Sequence, residues 1–478
     1  MRKTILSVIL LCLICGGCAV HENRVAESSA ITLEEKIKSI TEMWYYAKSY
    51  YGNWQLVSEE IWDAAYYDAL EKVRVIQSDQ EYRSLMRQFG ALLQDGHFGI
   101  KWENEPSEKY LPLRFSVVES KLVVKAVDSS LTDIPVLSFV DQIEGQDWET
   151  YAEMTIGKEL GIQTPGTRQA ILAQLLQSSN DEEKTITLDL TTPQGESIRK
   201  KLTYSLDPDQ FQWTKYISLN VDPAKGKLLQ YYSTPMIEAK IYRNHIGYIK
   251  IKSLETMEIA EEFEEVMSEY TKDLDYYILD LRENGGGSGG VAQAILHHFY
   301  PNEIPSLIMY QKESSSYAVG TYTSLKAMNL SAGDTSNSPS LAKRIEQGEL
   351  MLNNQCYIRS GTEVDRGMFV PLSGVVVLTG NHTGSAAEDM AAYAQAIGIP
   401  LIGEHTRGAT GQLAILKLTD GAIMTFSTVR VVSPLGEEFF NHGIQPDYLV
   451  EQTMEDFFDG YDTVLNYALN YAEEQLES

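Results

Sequence analysis

Four short segments constrain this chain most: "HIGYIKI" at 245–251, "YYILDLR" at 276–282, "GVVVLTG" at 374–380 and "IPLIGE" at 399–404. Each reads as a short, continuously apolar strand, so each has to be covered on both faces. Helical patterns lie between several of them. Buried strands separated by helices make a largely parallel sheet, because a parallel crossover needs a helix-length connection. The expected fold class is therefore α/β over residues 235–478. "LAILKLTDGAIMTFSTVRVV" adds a hairpin turning on Asp420-Gly421. Tyr461, Val464, Leu465, Ala468 and Leu469 share one face of a terminal helix.

The first half reads differently. Thr32 and Glu35 form a capping-box pattern before Ile37, Ile40, Trp44 and Ala47. A second helical stretch covers about 56–75. A third starts at Ser78, carries Leu85, Phe89, Leu92 and Leu93, and stops at "DGH", where Gly96 is expected as a left-handed C′ residue. Residues 32–100 thus form a helical domain. From 108 to 206 the pattern alternates as strands, including a hairpin at Gln194-Gly195, and predicts a compact β-rich module. Residues 207–235 are expected to connect. Residues 313–340, rich in Ser, Thr, Gly and Asn, read as a long loop of the kind that often serves as a lid. With 478 residues, two or three domains are expected.

The N-terminus stands apart. Arg2 and Lys3 precede an apolar run from Ile5 to Ile14 and then "CGGC". This is the pattern of a secretory signal peptide, too short to span a bilayer stably. Small residues ending on Cys18 resemble a bacterial lipobox, which implies lipidation of Cys18, a tether over 19–31 and an extracytoplasmic membrane location. Removal of 1–17 leaves 37 basic against 67 acidic residues, net −30. Such a chain repels nucleic acid and anionic headgroups, so its only membrane contact is the anchor. Cys356 alone remains in the mature body, which excludes an internal disulfide framework and a cysteine zinc site. HExxH and Walker motifs are absent, and no metal or cofactor is expected.

Ser385 lies at a strand–loop–helix junction in "GVVVLTGNHTGSAAEDM". A helix N-terminus offers free N–H groups, so an oxyanion formed beside Ser385 could accept from Ala386. Ser385 with Glu388 is also a capping-box spacing, and the stretch alone favours a cap. A second loop, "RENGGGSGG", follows the strand "YYILDL". Gly285, Gly287 and Gly290 satisfy GxGxxG, but Asp280, Arg282 and Glu283 intervene, and two acidic side chains would face a pyrophosphate. A loop that aims N–H groups of Gly286 or Gly287 at a carbonyl fits better.

Taken together, "ILDLRENGGG", "TGSAAEDMA", "IGEHTRGATG" and "GIQPDYLVE" resemble, in order, motifs of the C-terminal processing (tail-specific) serine peptidases. The resemblance covers about 240–478. It implies a crotonase/ClpP-like core, a protein or peptide substrate and Ser385 as nucleophile. Many members pair the serine with a lysine in a GKG-like segment. Here that segment reads Gly408-Ala409-Thr410, and Lys417 lies farther on in an alternating strand. The branch resembling the tricorn protease core uses a histidine from the preceding helical domain, and "LLQDGHF" is similar to that motif, which implies His97 as general base. A histidine near its ordinary pKa suits that work. The branch's glutamate position falls on Phe440, leaving Glu437, Glu438 and Asp95 as alternatives for the third member. His382, His405 and His442 could line the cleft, and His297 and His298 read as structural. The module at 108–206 resembles PDZ-like domains, which dock peptide tails by strand addition. The rival reading is a ligand- or peptide-binding lipoprotein that kept this fold without catalysis.

Overall fold

The computed structural model describes residues 30–477 apart from 182–183, 208–209, 223–226, 243–244, 272–273, 313–350, 353–354, 370 and 372–373. The leader, Cys18 and the long loop expected at 313–340 lie outside the described residues. The fold is mixed α/β. A seven-stranded sheet forms the centre. Its strands Ile246–Ile251, Tyr276–Asp280, Gly374–Thr379, Leu401–Gly403 and Tyr448–Leu449 run parallel, with Ile278 opposite Val376 and Val377 opposite Leu401. Two antiparallel strands, Leu228–Ser233 and Ile237–Tyr242, extend one edge.

The continuous apolar runs are explained by cover on both faces. Ile249, Ile251, Leu279, Val375 and Val377 pack with the helices Met257–Glu265, Gly289–Leu296 and Ala386–Ala396. The alternate residues Tyr248, Ile278, Val376 and Leu378 pack with Val464, Leu465, Ala468 and Leu469 of the helix Thr463–Glu477. Each fully buried Ile or Val contributes roughly 1.5–3 kcal/mol, so the two-sided packing holds the strand ends in fixed register.

The helices Leu33–Tyr50, Glu59–Lys72 and Asp79–Ala91 form the N-terminal unit, and the Thr32–Glu35 capping box is made. This unit shares one apolar cluster with the core hairpin: Ile40, Met43, Trp62 and Phe89 pack with Leu418, Ala422, Met424 and Phe426. At the hairpin tip, Asp420 accepts from Tyr82 Oη at 2.7 Å and from Trp102 Nε1 at 2.8 Å. The strand Gly99–Lys101 pairs antiparallel with Ile423–Ser427, Gly99 opposite Thr425. The β-rich unit has its own core of Leu113, Val124, Val140, Ile186 and Leu188.

Two expectations are corrected. Residues 207–235 are more than a connection: Trp213–Tyr216 pairs with Lys121–Asp128 of the β-rich unit, and Leu228–Ser233 belongs to the central sheet. Gly96 is not a left-handed helix cap. The third helix ends at Ala91, and the positive φ, 53°, belongs to Gln94. What requires glycine at 96 is contact, since a Cβ there would lie 2.6 Å from Ala409 Cβ. Among the described residues no helix is long and apolar enough to cross a membrane.

Candidate active site

Adjacent parallel strands release their loops at the same sheet edge, where ligands of open α/β sheets bind. Tyr276–Asp280 feeds the glycine loop, Gly374–Thr379 feeds the Ser385 loop, and Leu401–Gly403 feeds "EHTRGAT". The polar residues of "DLREN" hold these loops. Arg282 binds Asp462 through two bonds of 2.8 Å and Asp280 through Nη2 at 2.7 Å. Burial alone would raise the Asp280 carboxyl; Arg282 outweighs it and holds the group down to about 2. Asn284 Nδ2 donates to Ile251 O at 2.9 Å, its Oδ1 accepts from Gly286 N at 2.9 Å, and its carbonyl accepts from Gly384 N at 3.1 Å. One asparagine thereby ties the glycine loop to the serine loop.

Ser385 sits at φ 51°, ψ −129°, immediately before the helix Ala386–Ala396. Its side chain makes no capping bond, so the cap reading fails. Glu388 makes no capping box either: its buried carboxylate accepts from Thr406 Oγ1 and Gly408 N at 2.6 Å and from Ala409 N at 2.8 Å. Burial pushes that carboxyl up to about 7 against these three donors. Positive φ at a non-glycine residue is strained, and such strain concentrates at functional sites. Gly286 packs directly on the serine; a Cβ on it would lie 2.6 Å from Ser385 Cβ and 2.9 Å from Ala386 N. The Gly286 N–H is engaged by Asn284, whereas no hydrogen bond is made by the N–H groups of Gly287 or Ala386 among the described residues. One unengaged donor, Ala386 N–H, directly follows Ser385, and the other, Gly287 N–H, follows the glycine that packs on it.

His97 arrives from the other side. Its N–H donates to Asp95 Oδ1 at 2.8 Å and its carbonyl accepts from Thr425 Oγ1 at 2.9 Å, so the backbone is held at both ends. Nδ1 lies 3.0 Å from Ser427 Oγ. Ser427 Oγ in turn lies 3.0 Å from Asp95 Oδ1, and Ser427 N donates to Asp95 Oδ2 at 2.6 Å. The one Ser427 hydroxyl proton has two acceptors at 3.0 Å, Asp95 Oδ1 and Thr410 O; donated to either, it leaves the Ser427 oxygen to accept from Nδ1–H and Nε2 as the basic nitrogen. Burial pushes the Asp95 carboxyl up to about 6. Burial also pushes the half-buried imidazole down to about 4, with the Arg407 charge adding to it. The expectation of an ordinary histidine pKa is corrected accordingly.

Ala409 joins the two sides. Its carbonyl accepts from Ser385 N at 2.6 Å, and its Cβ faces Gly96. The turn that carries His97 thus occupies the space into which a lysine at 409 would project. No direct hydrogen bond links the imidazole to Ser385 among the described residues; active-site bonds of this kind often tighten only when substrate is present. The β-rich unit closes the third side: Gln163 N donates to Asn441 Oδ1 at 2.9 Å and Thr164 Oγ1 to Arg407 O at 3.0 Å.

Other candidates lie elsewhere. Glu437 and Glu438 are exposed and ion-paired with Arg366 and Arg430, while Phe440 is buried. Of the three acidic alternatives only Asp95 connects to His97. Lys417 is exposed, four strand residues from the level of Leu413, which pairs with Ser427; that is roughly 13 Å along the strand. His297 Nδ1 lies 3.0 Å from Tyr300 O, and His298 packs on Phe263. His382 and His442 are exposed and His405 half-buried, none bonded to Ser385. Among the described residues no group of three or more His, Cys, Asp or Glu side chains could hold a metal ion. Ser427 was not singled out from the sequence, because a serine in an alternating hairpin strand carries no motif.

Residues 245–450 match the model of peptidase family S41. The fold is similar to that of mature CPAF, at TM-score 0.69 and 14% identity, covering 92% of this chain and 96% of that one. The structure of mature CPAF complexed with lactacystin matches at TM-score 0.69 and 13% identity, covering 93% and 98%. No curated protein matches the chain.

Proposed function

We propose that this chain, whose residues 245–450 match the peptidase family S41 model, is a serine endopeptidase with Ser385 as nucleophile and His97 as general base. Ser385 Oγ attacks the peptide carbonyl carbon while its proton passes to His97 Nε2. The resulting oxyanion accepts from the N–H groups of Gly287 and Ala386. Collapse breaks the C–N bond, and His97 returns the proton to the leaving amine. Water then hydrolyses the acyl-serine by the same steps in reverse order. Asp95 acts through Ser427, orienting the imidazole and favouring its positive charge once the proton has moved. The observation that carries this reading is Ser385 itself: strained, uncapped, packed on Gly286 and followed by the unengaged N–H of Ala386.

In this reading the central sheet is a crotonase-like core and the β-rich unit a PDZ-like domain that presents peptide to the site. The leader makes the protein an extracytoplasmic lipoprotein anchored through Cys18; retention of a Cys18→Ser protein in the membrane fraction would refute that.

The test is labelling by a fluorophosphonate probe together with peptide turnover. The parent should label at Ser385, and Ser385→Ala should lose both labelling and turnover while keeping its circular dichroism spectrum. The missing His97–Ser385 hydrogen bond favours a second reading, a non-catalytic peptide-binding lipoprotein. That protein would not label and would cleave nothing.

A further inference from the structure

Among the described residues, Arg407 stands beside Ser385 without a hydrogen-bond or ion-pair partner for its guanidinium. Its Cδ lies 3.1 Å and its Cβ 3.6 Å from the point where a Cβ on Gly384 would sit, so its aliphatic stem lines the residue next to Ser385. Both backbone ends are fixed: its N–H donates to Thr383 O at 2.8 Å, and its carbonyl accepts from Thr164 Oγ1 at 3.0 Å. The guanidinium, by contrast, has a buried Nε with no acceptor, and among the described residues it makes no hydrogen bond or ion pair. A buried arginine nitrogen is normally satisfied, because its desolvation is otherwise unrepaid.

The surrounding charges leave it unmatched. Glu388 attracts it from the first turn of the helix Ala386–Ala396, but that carboxylate is already spent on Thr406, Gly408 and Ala409. Glu283, the acidic group among the charges around neighbouring His382, is ion-paired with Lys250 at 2.5 Å. Lys125, from the β-rich unit, adds a second positive charge there. Arg407 and Lys125 thus place positive charge beside the Ser385 loop of a chain whose net charge is −28.

We propose that Arg407 is a specificity-determining residue that binds a carboxylate of the substrate, the side chain of an Asp or Glu within a residue or two of the scissile bond. Its position against Gly384 limits its reach to that neighbourhood. The rigid planar fork suits bidentate carboxylate binding, and its backbone is already fixed before substrate arrives. The inference rests on the peptidase reading of the same site.

The experiment compares fluorogenic peptides that differ only by Glu or Gln beside the cleaved bond, each with an amidated and a free C-terminus. The parent should prefer Glu by roughly 10- to 100-fold in kcat/KM, the size of a charge-assisted hydrogen bond. Arg407→Met should bring that ratio close to one, and Arg407→Lys should restore part of it. No preference in the parent, or an unchanged preference in Arg407→Met, overturns the proposal. So does an equal fall on both peptides, which would make Arg407 a support for the serine loop. If the preference follows the free C-terminus instead of the internal residue, carboxylate binding stands and the side-chain source falls. Binding of the amidated peptides to Ser385→Ala, with and without Arg407→Met, gives the same comparison without turnover. Failure of probe labelling and turnover sinks the peptidase reading, while this binding ratio still decides the role of Arg407.

Discussion

The two halves of the site are built in different ways. The half proposed to carry the nucleophile comes from loops leaving adjacent parallel strands, tied by Asn284 and by the Arg282–Asp280–Asp462 network. Its chemistry sits in two contiguous runs, 280–290 and 380–389. The base half is assembled from Asp95 and His97 at one end of the chain and Thr410, Thr425 and Ser427 more than three hundred residues later. Its frame is the apolar cluster shared between the helical unit and the core hairpin. A site half that is local in sequence is held by the sheet; one that is remote is held only as firmly as the packing that joins its pieces.

The largest break in this comparison is His97→Ala. It should lower kcat by roughly three to four orders of magnitude, as loss of a triad member does, with little change in Tm. Lys417→Ala measured beside it should stay close to the parent. Comparable turnover by the His97→Ala protein would leave the base half without a chemical role.

Phe426→Ala removes a ring buried against Tyr51, with centroids 6.3 Å apart, in the strand that ends at Ser427. It should cost roughly 3–5 kcal/mol of stability, read as a lowered denaturation midpoint. Where the fold persists, turnover should fall more than probe binding at the nucleophile half. Equal loss in both halves would mean that the sheet, rather than the shared cluster, holds His97.

The smallest effect is in the pH profile, and it sharpens the contrast. A base works as the neutral imidazole, so with His97 held down to about 4 that form persists well below neutrality. An unperturbed histidine would be about nine-tenths protonated at pH 5.5. The parent should therefore keep most of its kcat/KM from pH 8 down to about pH 6 and lose it stepwise below. The upper step is protonation of Asp95 near 6, which weakens the hold on Ser427, and the lower is His97 itself near 4. Ser427→Ala should remove the upper step. A single rise centred on pH 6.5 in both proteins would contradict the depressed imidazole.

Much of the nucleophile half was legible in the sequence, since its signals are local. Four apolar runs required cover on both faces, and that fixed a parallel sheet; glycines and a serine at strand ends then marked the loops. The same local reading misassigned two residues. Ser385 has the spacing of a cap, yet at a φ of 51° its side chain makes no capping bond, and Glu388 is spent on the neighbouring loop. Gly96 has the look of a helix stop, yet it is glycine because Ala409, 313 positions along the chain, leaves no room for a Cβ.

By itself, then, the sequence determined the sheet, the order of the units and the loop that bears Ser385, because periodicity and glycine placement act over a few residues. Tertiary structure alone decided that Ser427 stands between Asp95 and His97, that burial depresses the imidazole, and that the buried Arg407 Nε meets no acceptor among the described residues. Those properties depend on which distant groups meet and how much water they exclude, and no short stretch of chain carries that information.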